Sequence, residues 1–133
     1  MFVTVADTHA LIWYIYTDRR LSVKAKQFID NAYKSGNQIG ISSITLIEMV
    51  YLIEKGRIQA ESFSRVVRKL QEMNSLFVEI KVDLDIARAL SKVSAVEVPD
   101  MPDRIVAATA VELSVPVISR DGKIQLSRVA TIW

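Results

Sequence analysis

The chain has no cysteine. That excludes a disulfide framework and a thiolate metal site, leaves stability to packing, and fits a reducing cytoplasm. No apolar run approaches the roughly 18–20 residues a bilayer span requires, and Met1-Phe2-Val3-Thr4-Val5 lacks the basic head and small-residue cleavage pattern of a signal peptide. A cytoplasmic protein with no membrane partner is expected. An excess of charge of one sign is also nearly missing, with 17 Lys and Arg against 15 Asp and Glu. The formal net charge is +2 at a sequence pI near 9.0, which permits contact with a polyanion without demanding it. Internal repeats, linkers and low-complexity segments are absent.

What is present is a globular composition, 50% hydrophobic and 24% charged over 133 residues. This length suits one domain, residues 1–133, large enough to bury a real core and too short for two. Phe2 to Ala6 reads as a strand and Thr8 to Tyr16 as a helix, with Asp7 at their junction. A second helix is expected over Leu21 to Tyr33, ending at the Ser35-Gly36-Asn37 turn. Gln38 to Ser42 reads as a buried strand, and Ile44 to Glu54 as a helix that stops at Lys55-Gly56. Phe63, Val66, Val67, Leu70 and Met73 recur at helical spacing within Ala60 to Met73, so this helix is amphipathic with a basic outer face, around Arg65, Arg68 and Lys69 and Arg57 just ahead of it. That face suits either the phosphates of a polyanion or plain solvation.

Leu76 to Ile80 is another strand, Asp83 to Val93 a helix, Asp103 to Leu113 a further helix opened by the Pro99 and Pro102 loop, Val115 to Ile118 a strand, and Val129 to Trp133 a last one. Short strands alternating with helices predict an α/β fold, a sandwich with a mostly parallel central sheet flanked by helices. In such sheets ligands bind beyond the carboxyl ends of the strands, so the acids to follow are those just after strands.

Asp7 and Asp121 hold that position. Each also has a plainer reading: Asp7 as a helix N-cap, and Asp121-Gly122 as an ordinary turn. Glu48 lies among Ile44, Leu46, Ile47, Met49, Val50, Leu52 and Ile53, where a lone acid needs a partner. Its plainer reading is a capping box with Thr45. Asp103 opens a helix of small apolar residues, Ile105 to Ala110, whose size implies close packing on the sheet, and an acid in the first turn also suits the helix dipole. Asp100 is assigned to capping or shaping the loop, as a support at most. The joint placement of Asp7, Glu48, Asp103 and Asp121 at strand ends and facing helix ends makes them the candidate catalytic and metal-binding set.

Carboxylates gathered in one cleft repel unless a cation lies between them or their pKa values rise. An oxygen-only donor set favours Mg²⁺ or Mn²⁺, and such ions activate water and neutralise a phosphodiester in reaction. Phosphodiester hydrolysis is the chemistry this pattern implies. His9, two residues past Asp7, is expected to make a structural hydrogen bond rather than act as base. Arg104 suits a scissile phosphate or a surface ion pair. Trp13, Tyr14 and Tyr16 suit the core, or an aromatic surface for a partner.

The motifs Ala6-Asp7-Thr8-His9-Ala10-Leu11-Ile12-Trp13, Ser42-Ser43-Ile44-Thr45-Leu46-Ile47-Glu48, Pro102-Asp103-Arg104-Ile105-Val106-Ala107-Ala108-Thr109-Ala110 and Ser119-Arg120-Asp121 resemble PIN-domain nucleases, and among them the VapC toxins of toxin-antitoxin pairs. The likeness covers essentially the whole chain in the right order. It implies a PIN-like three-layer sandwich, Mg²⁺- or Mn²⁺-dependent endoribonuclease activity on an RNA substrate, homodimerisation, and inhibition by a small antitoxin protein. It carries metal-binding or catalytic roles onto Asp7, Glu48, Asp103 and Asp121, and a supporting hydroxyl onto Ser119. Gly122-Lys123-Ile124 departs from the pattern, which often has an aromatic residue there, and this puts the shape of that loop in question.

Two rival classes make different demands. A non-catalytic PIN-like module that binds a protein partner would be favoured by loss of one or more of the acids, and all four are present. A receiver domain wants paired acids after its first strand, and an aspartate-nucleophile phosphatase wants Asp-x-Asp there; Asp7-Thr8-His9 supplies neither.

Overall fold

Strands and helices follow the order β1 (Phe2–Ala6), α1 (Thr8–Ile15), α2 (Val23–Lys34), β2 (Gln38–Ser42), α3 (Ser43–Glu54), α4 (Glu61–Gln71), β3 (Phe77–Ile80), α5 (Leu84–Ala89), α6 (Met101–Leu113), β4 (Val117–Ile118), α7 (Gly122–Leu126) and β5 (Thr131–Ile132) in a computed structural model describing residues 1–133. A 3-10 turn, Leu90–Lys92, continues α5. The strands form one sheet in the order β3-β2-β1-β4-β5. Every neighbouring pair is parallel. Parallel neighbours need crossovers, and the helices supply them on both faces of the sheet.

Period-two alternation divides the strand residues between those faces. Ala6, Ile39, Ile41, Phe77 and Ile118 join a core with Ala25, Ile29 and Ala32 of α2 and Val66 of α4. On the other face, Val5 and Val117 meet Val106 and Ala110 of α6. The alanines Ala107, Ala108 and Ala110 of α6 are fully buried, as close helix-to-sheet packing requires. Gly40 serves the same closeness: a Cβ there would stand 3.1 Å from Ile80 Cγ1 and 3.3 Å from Val5 Cγ2. No helix is long and apolar enough to cross a membrane.

The strand order reverses at β1. β2 and β3 lie to one side of it, and β4 and β5 to the other. Diverging crossovers leave a crevice beyond the carboxyl ends of β1 and β4. Asp7 follows β1, and Ser119 to Asp121 follow β4.

Several boundaries differ from the sequence expectation for local reasons. The helix expected from Asp103 starts at Met101, because the Asp100 side chain caps it. The helix expected over Asp83 to Val93 tightens into the 3-10 turn after Ala89. The strand expected from Val115 is reduced to Val117–Ile118, since Pro116 has no amide to donate; its carbonyl still accepts from the Val5 amide at 3.0 Å. Helix α7 was not expected at all, because Asp121-Gly122 reads as a turn. It is one helical turn that buries Ile124.

Candidate active site

Asp7 is where the first strand becomes a helix. Its backbone amide donates to the Ile118 carbonyl at 3.1 Å, which ties β1 to β4 at the crevice. Its Oδ1 accepts from the Ala10 amide at 2.9 Å, capping α1. The side chain is therefore fixed by the backbone that needs a cap, and the residue is only 8% exposed. Burial pushes its carboxyl above the ordinary carboxylate value, against the lowering pull of the Ser119 hydroxyl and the Ala10 amide.

Glu48 belongs to α3, which begins earlier than the capping-box reading requires. Ser42 is the N-cap, with Oγ accepting from the Ile44 amide at 3.2 Å. Thr45 and Glu48 then lie inside the helix three residues apart and share a face. Across that face is Thr8, whose hydroxyl donates to Glu48 Oε1. The Thr8 and Thr45 hydroxyl oxygens stand 3.2 Å apart. Because Thr8 has a single proton and gives it to Glu48, the Thr45 hydroxyl is the donor in that second contact. The partner expected for the lone acid is thus a threonine pair, and the capping box is corrected.

Asp103 sits in the first turn of α6 and is half-buried. Burial raises its pKa to about 7, and the negative charges of Asp100, Asp121, Asp7 and Glu48 add to the shift. Four other carboxylates thus converge on Asp103 electrostatically. Asp121 caps α7, with Oδ1 accepting from the Lys123 and Ile124 amides, each at 3.0 Å. Its own amide donates to Ser119 Oγ at 3.0 Å, so Ser119 touches the settings of both Asp7 and Asp121. Asp100 caps α6 as expected, accepting from the Asp103 amide at 3.1 Å.

One cavity of about 330 Å³ is lined by Asp7, Glu48, Asp100, Asp103 and Asp121, together with His9, Trp13 and Arg120. It opens at the crevice where the sheet order reverses. The four acids singled out from sequence are brought together here, and Asp100 joins them at the rim. Capping and convergence coexist: three of these aspartates, Asp7, Asp100 and Asp121, are helix caps whose side chains also face the cavity.

Two sequence readings are corrected. Arg104 reaches neither the cavity nor a carboxylate. Its Nε donates to the Val93 carbonyl at 3.0 Å and its Nη2 to the Leu90 carbonyl at 2.9 Å, satisfying the end of the 3-10 turn. His9 makes no structural hydrogen bond; it is exposed, with its ring 5.5 Å from that of Trp13. Trp13 is buried, as the core reading has it, and Tyr14 donates its hydroxyl to Asp30 at 2.7 Å. Arg65 of the basic helix lies 4.5 Å over the Tyr16 ring, while Arg57 and Arg68 are exposed. Arg120 was missed as a cavity residue, although its place between Ser119 and Asp121 in the last motif was the signal.

The donor set fits a hard divalent cation. It offers carboxylate oxygens from separate elements around one cavity, and burial, helped by the neighbouring carboxylates, raises the pKa of Asp103. In this conformation no three acidic or histidine side chains are gathered closely enough to ligate one ion. Mutual repulsion opposes that gathering, and a cation removes the opposition.

These features, a parallel sheet with acids converging at its switch point, define a nuclease-like α/β domain, and the comparison with known proteins names its class. The model of the PIN domain matches residues 4–131, and the chain belongs to that family. Among individual proteins, it is similar to Ribonuclease VapC22 of Mycobacterium tuberculosis (strain ATCC 25618 / H37Rv), with 24% identity over 136 residues covering 100% of both chains. Among solved structures, it shares its fold with VapBC2 from Rickettsia felis bound to a DNA fragment from their promoter: TM-score 0.71, 15% identity, 98% of this chain and 97% of that one. A toxin-antitoxin complex from Klebsiella pneumoniae matches at TM-score 0.57 and 27% identity, over 91% of this chain and 89% of that one. FitAcB from Neisseria gonorrhoeae matches at TM-score 0.62 and 19% identity, over 98% and 96%.

Proposed function

We propose that this PIN domain is a Mg²⁺- or Mn²⁺-dependent endoribonuclease, the toxin of a toxin-antitoxin pair, acting as a homodimer restrained by a small antitoxin protein. The observation that carries the reading is the convergence of Asp7, Glu48, Asp103 and Asp121 on one cavity at the switch point of the sheet. The likeness to Ribonuclease VapC22, and to the toxin-antitoxin complex from Klebsiella pneumoniae, supports RNA as the substrate and an antitoxin as the partner.

Asp7, Glu48, Asp103 and Asp121 would hold the cation, whose chemistry is to lower the pKa of water and neutralise charge on a phosphodiester. The protein's own contribution is preorganisation. Asp7 is immobilised by its cap to Ala10 and by its backbone link to β4. Thr8 holds one oxygen of Glu48 on the cavity side of α3. Asp103, its pKa raised to about 7, holds a proton in the metal-free protein and would release it when a cation binds. Ser119 braces Asp121 by accepting from its amide, and its hydroxyl draws the pKa of the Asp7 carboxyl down.

The test is cleavage of labelled RNA by the purified protein in Mg²⁺ or Mn²⁺, beside an EDTA control and the variants Asp7→Asn and Asp103→Asn. Cleavage that needs the metal and is lost in both variants supports the reading. Intact RNA throughout, or variants that cut as well as the parent, refutes it.

A further inference from the structure

The cavity holds five carboxylates and a single arginine, Arg120. A strand of phosphates entering such a pocket meets charge of its own sign, so a cation at the mouth has a task the acids cannot perform. Arg120 sits next to Asp121 in sequence, yet it has no carboxylate partner. The ion pairs within 4.0 Å are Arg20 with Asp18, Lys26 with Asp30, Arg65 with Glu61 and Lys69 with Glu72. Its guanidinium lies instead over the Trp13 ring, 4.5 Å from the centroid.

That shelf is rigid. Trp13 is 4% exposed and is flanked by the Trp133 ring at 6.0 Å. The loop that carries Arg120 is fixed on both sides, by the Asp121 amide on Ser119 Oγ and by Gln125 Nε2 donating to the Ser119 carbonyl at 3.1 Å. A guanidinium held over a ring and making no side-chain hydrogen bond keeps its N–H donors free, in the fork that matches a phosphate.

We infer that Arg120, held on Trp13, is a substrate-positioning residue that grips a non-bridging phosphate oxygen of the RNA strand entering the acidic cavity. The inference rests on the ribonuclease reading and deepens it. Arg20 provides an internal control. Its guanidinium also approaches the Trp13 ring, at 5.1 Å, but it is paired to Asp18 and lines a different cavity.

The experiment compares Arg120→Ala, Arg120→Lys and Arg20→Ala. KM and kcat for a labelled single-stranded RNA are measured in Mn²⁺, and Kd for the same RNA is measured across a salt series in an Asp103→Asn background. Arg120→Ala is expected to raise KM and Kd about tenfold, with a smaller change in kcat. The slope of log K against log salt should fall by about 0.7, the value for one phosphate contact on a single strand. Arg120→Lys keeps the charge without the fork and should recover binding only in part. Arg20→Ala, which removes an equal charge and a contact to the same ring, should match the parent. If both alanine variants shift together, or Arg120→Ala binds as the parent does while the parent cleaves, the assignment of Arg120 is overturned and the ribonuclease reading stands. A parent that neither binds nor cuts RNA overturns both.

Discussion

The Thr8 hydroxyl donates a hydrogen bond to Glu48, joining the first turn of α1 to the middle of α3 beside the acidic cavity that Glu48 lines. The residue after Asp7 thus sets the orientation of a second acid 40 positions away. Thr8→Val keeps the shape of the side chain and removes the donor. A hydrogen bond to a charged group contributes about 1.5–3 kcal/mol, so kcat for RNA cleavage should fall about tenfold or more. Thr8→Ser should restore most of the loss. A valine variant with parental kcat would remove Thr8 from the positioning of Glu48.

Capping and charge are separable at Asp7 and Asp121, since asparagine caps a helix about as well as aspartate does. Asp7→Asn and Asp121→Asn should keep the thermal stability of the metal-free parent and lose RNA cleavage. The alanine variants should lose cleavage and a further ~1 kcal/mol of stability each, the usual cost of a lost cap. Thermal denaturation in EDTA beside an activity assay distinguishes the two; equal stability of the asparagine and alanine variants would contradict the capping role.

The fold and the acids were legible for different reasons. Strands β1 and β2 and helix α4 were readable because periodicity in a short window reflects burial directly, as in Ile39 and Ile41 on one face of the sheet. The order β3-β2-β1-β4-β5 is set by long-range pairing, and it did not follow from local pattern. Asp7 and Asp121 could be found because a residue at the carboxyl end of a strand has a defined place in a parallel sheet. The tether from Thr8 to Glu48 and the stacking of Arg120 on Trp13 join distant segments and left no local trace. Arg104 misled for the same reason, since its carbonyl partners, Leu90 and Val93, lie on the preceding element. Helix α7 is shorter than the helical pattern needs to declare itself, although Asp121 followed by Ile124 has the spacing of a cap and a buried anchor.

The raised pKa of Asp103 gives the metal-free protein a pH-dependent stability. Its ordinary value is 3.8 and its folded value about 7, so between these limits the folded chain holds a proton that the unfolded chain has released. Stability is therefore fully present below the lower value and is lost as pH rises toward the upper one. Screening by solvent at this half-buried carboxyl limits the effect to about 1–2 kcal/mol. Urea denaturation in EDTA over that range should show the decline in the parent, and Asp103→Asn should reduce it. A parent whose stability rises with pH through the window would contradict the convergence of charge at Asp103.

Arg104 is a structural residue. Arg104→Ala leaves the Leu90 and Val93 carbonyls without their donor and should cost about 1–3 kcal/mol of stability. The folded variant should cleave RNA at the parental rate per molecule. Denaturation midpoints and kcat measured on the same preparation decide this, and a fall in kcat with stability unchanged would return Arg104 to the substrate.

Asp7, Glu48, Asp103 and Asp121 are proposed to act as one cation site. Isothermal titration of Mn²⁺ into the metal-free protein just below pH 7, in two buffers of different ionisation enthalpy, measures both binding and proton release. The account predicts saturable binding to the parent with proton release from Asp103, binding greatly weakened in Asp7→Asn, and no such proton release in Asp103→Asn. Binding that is absent from the parent, or equal in all three proteins, would contradict it.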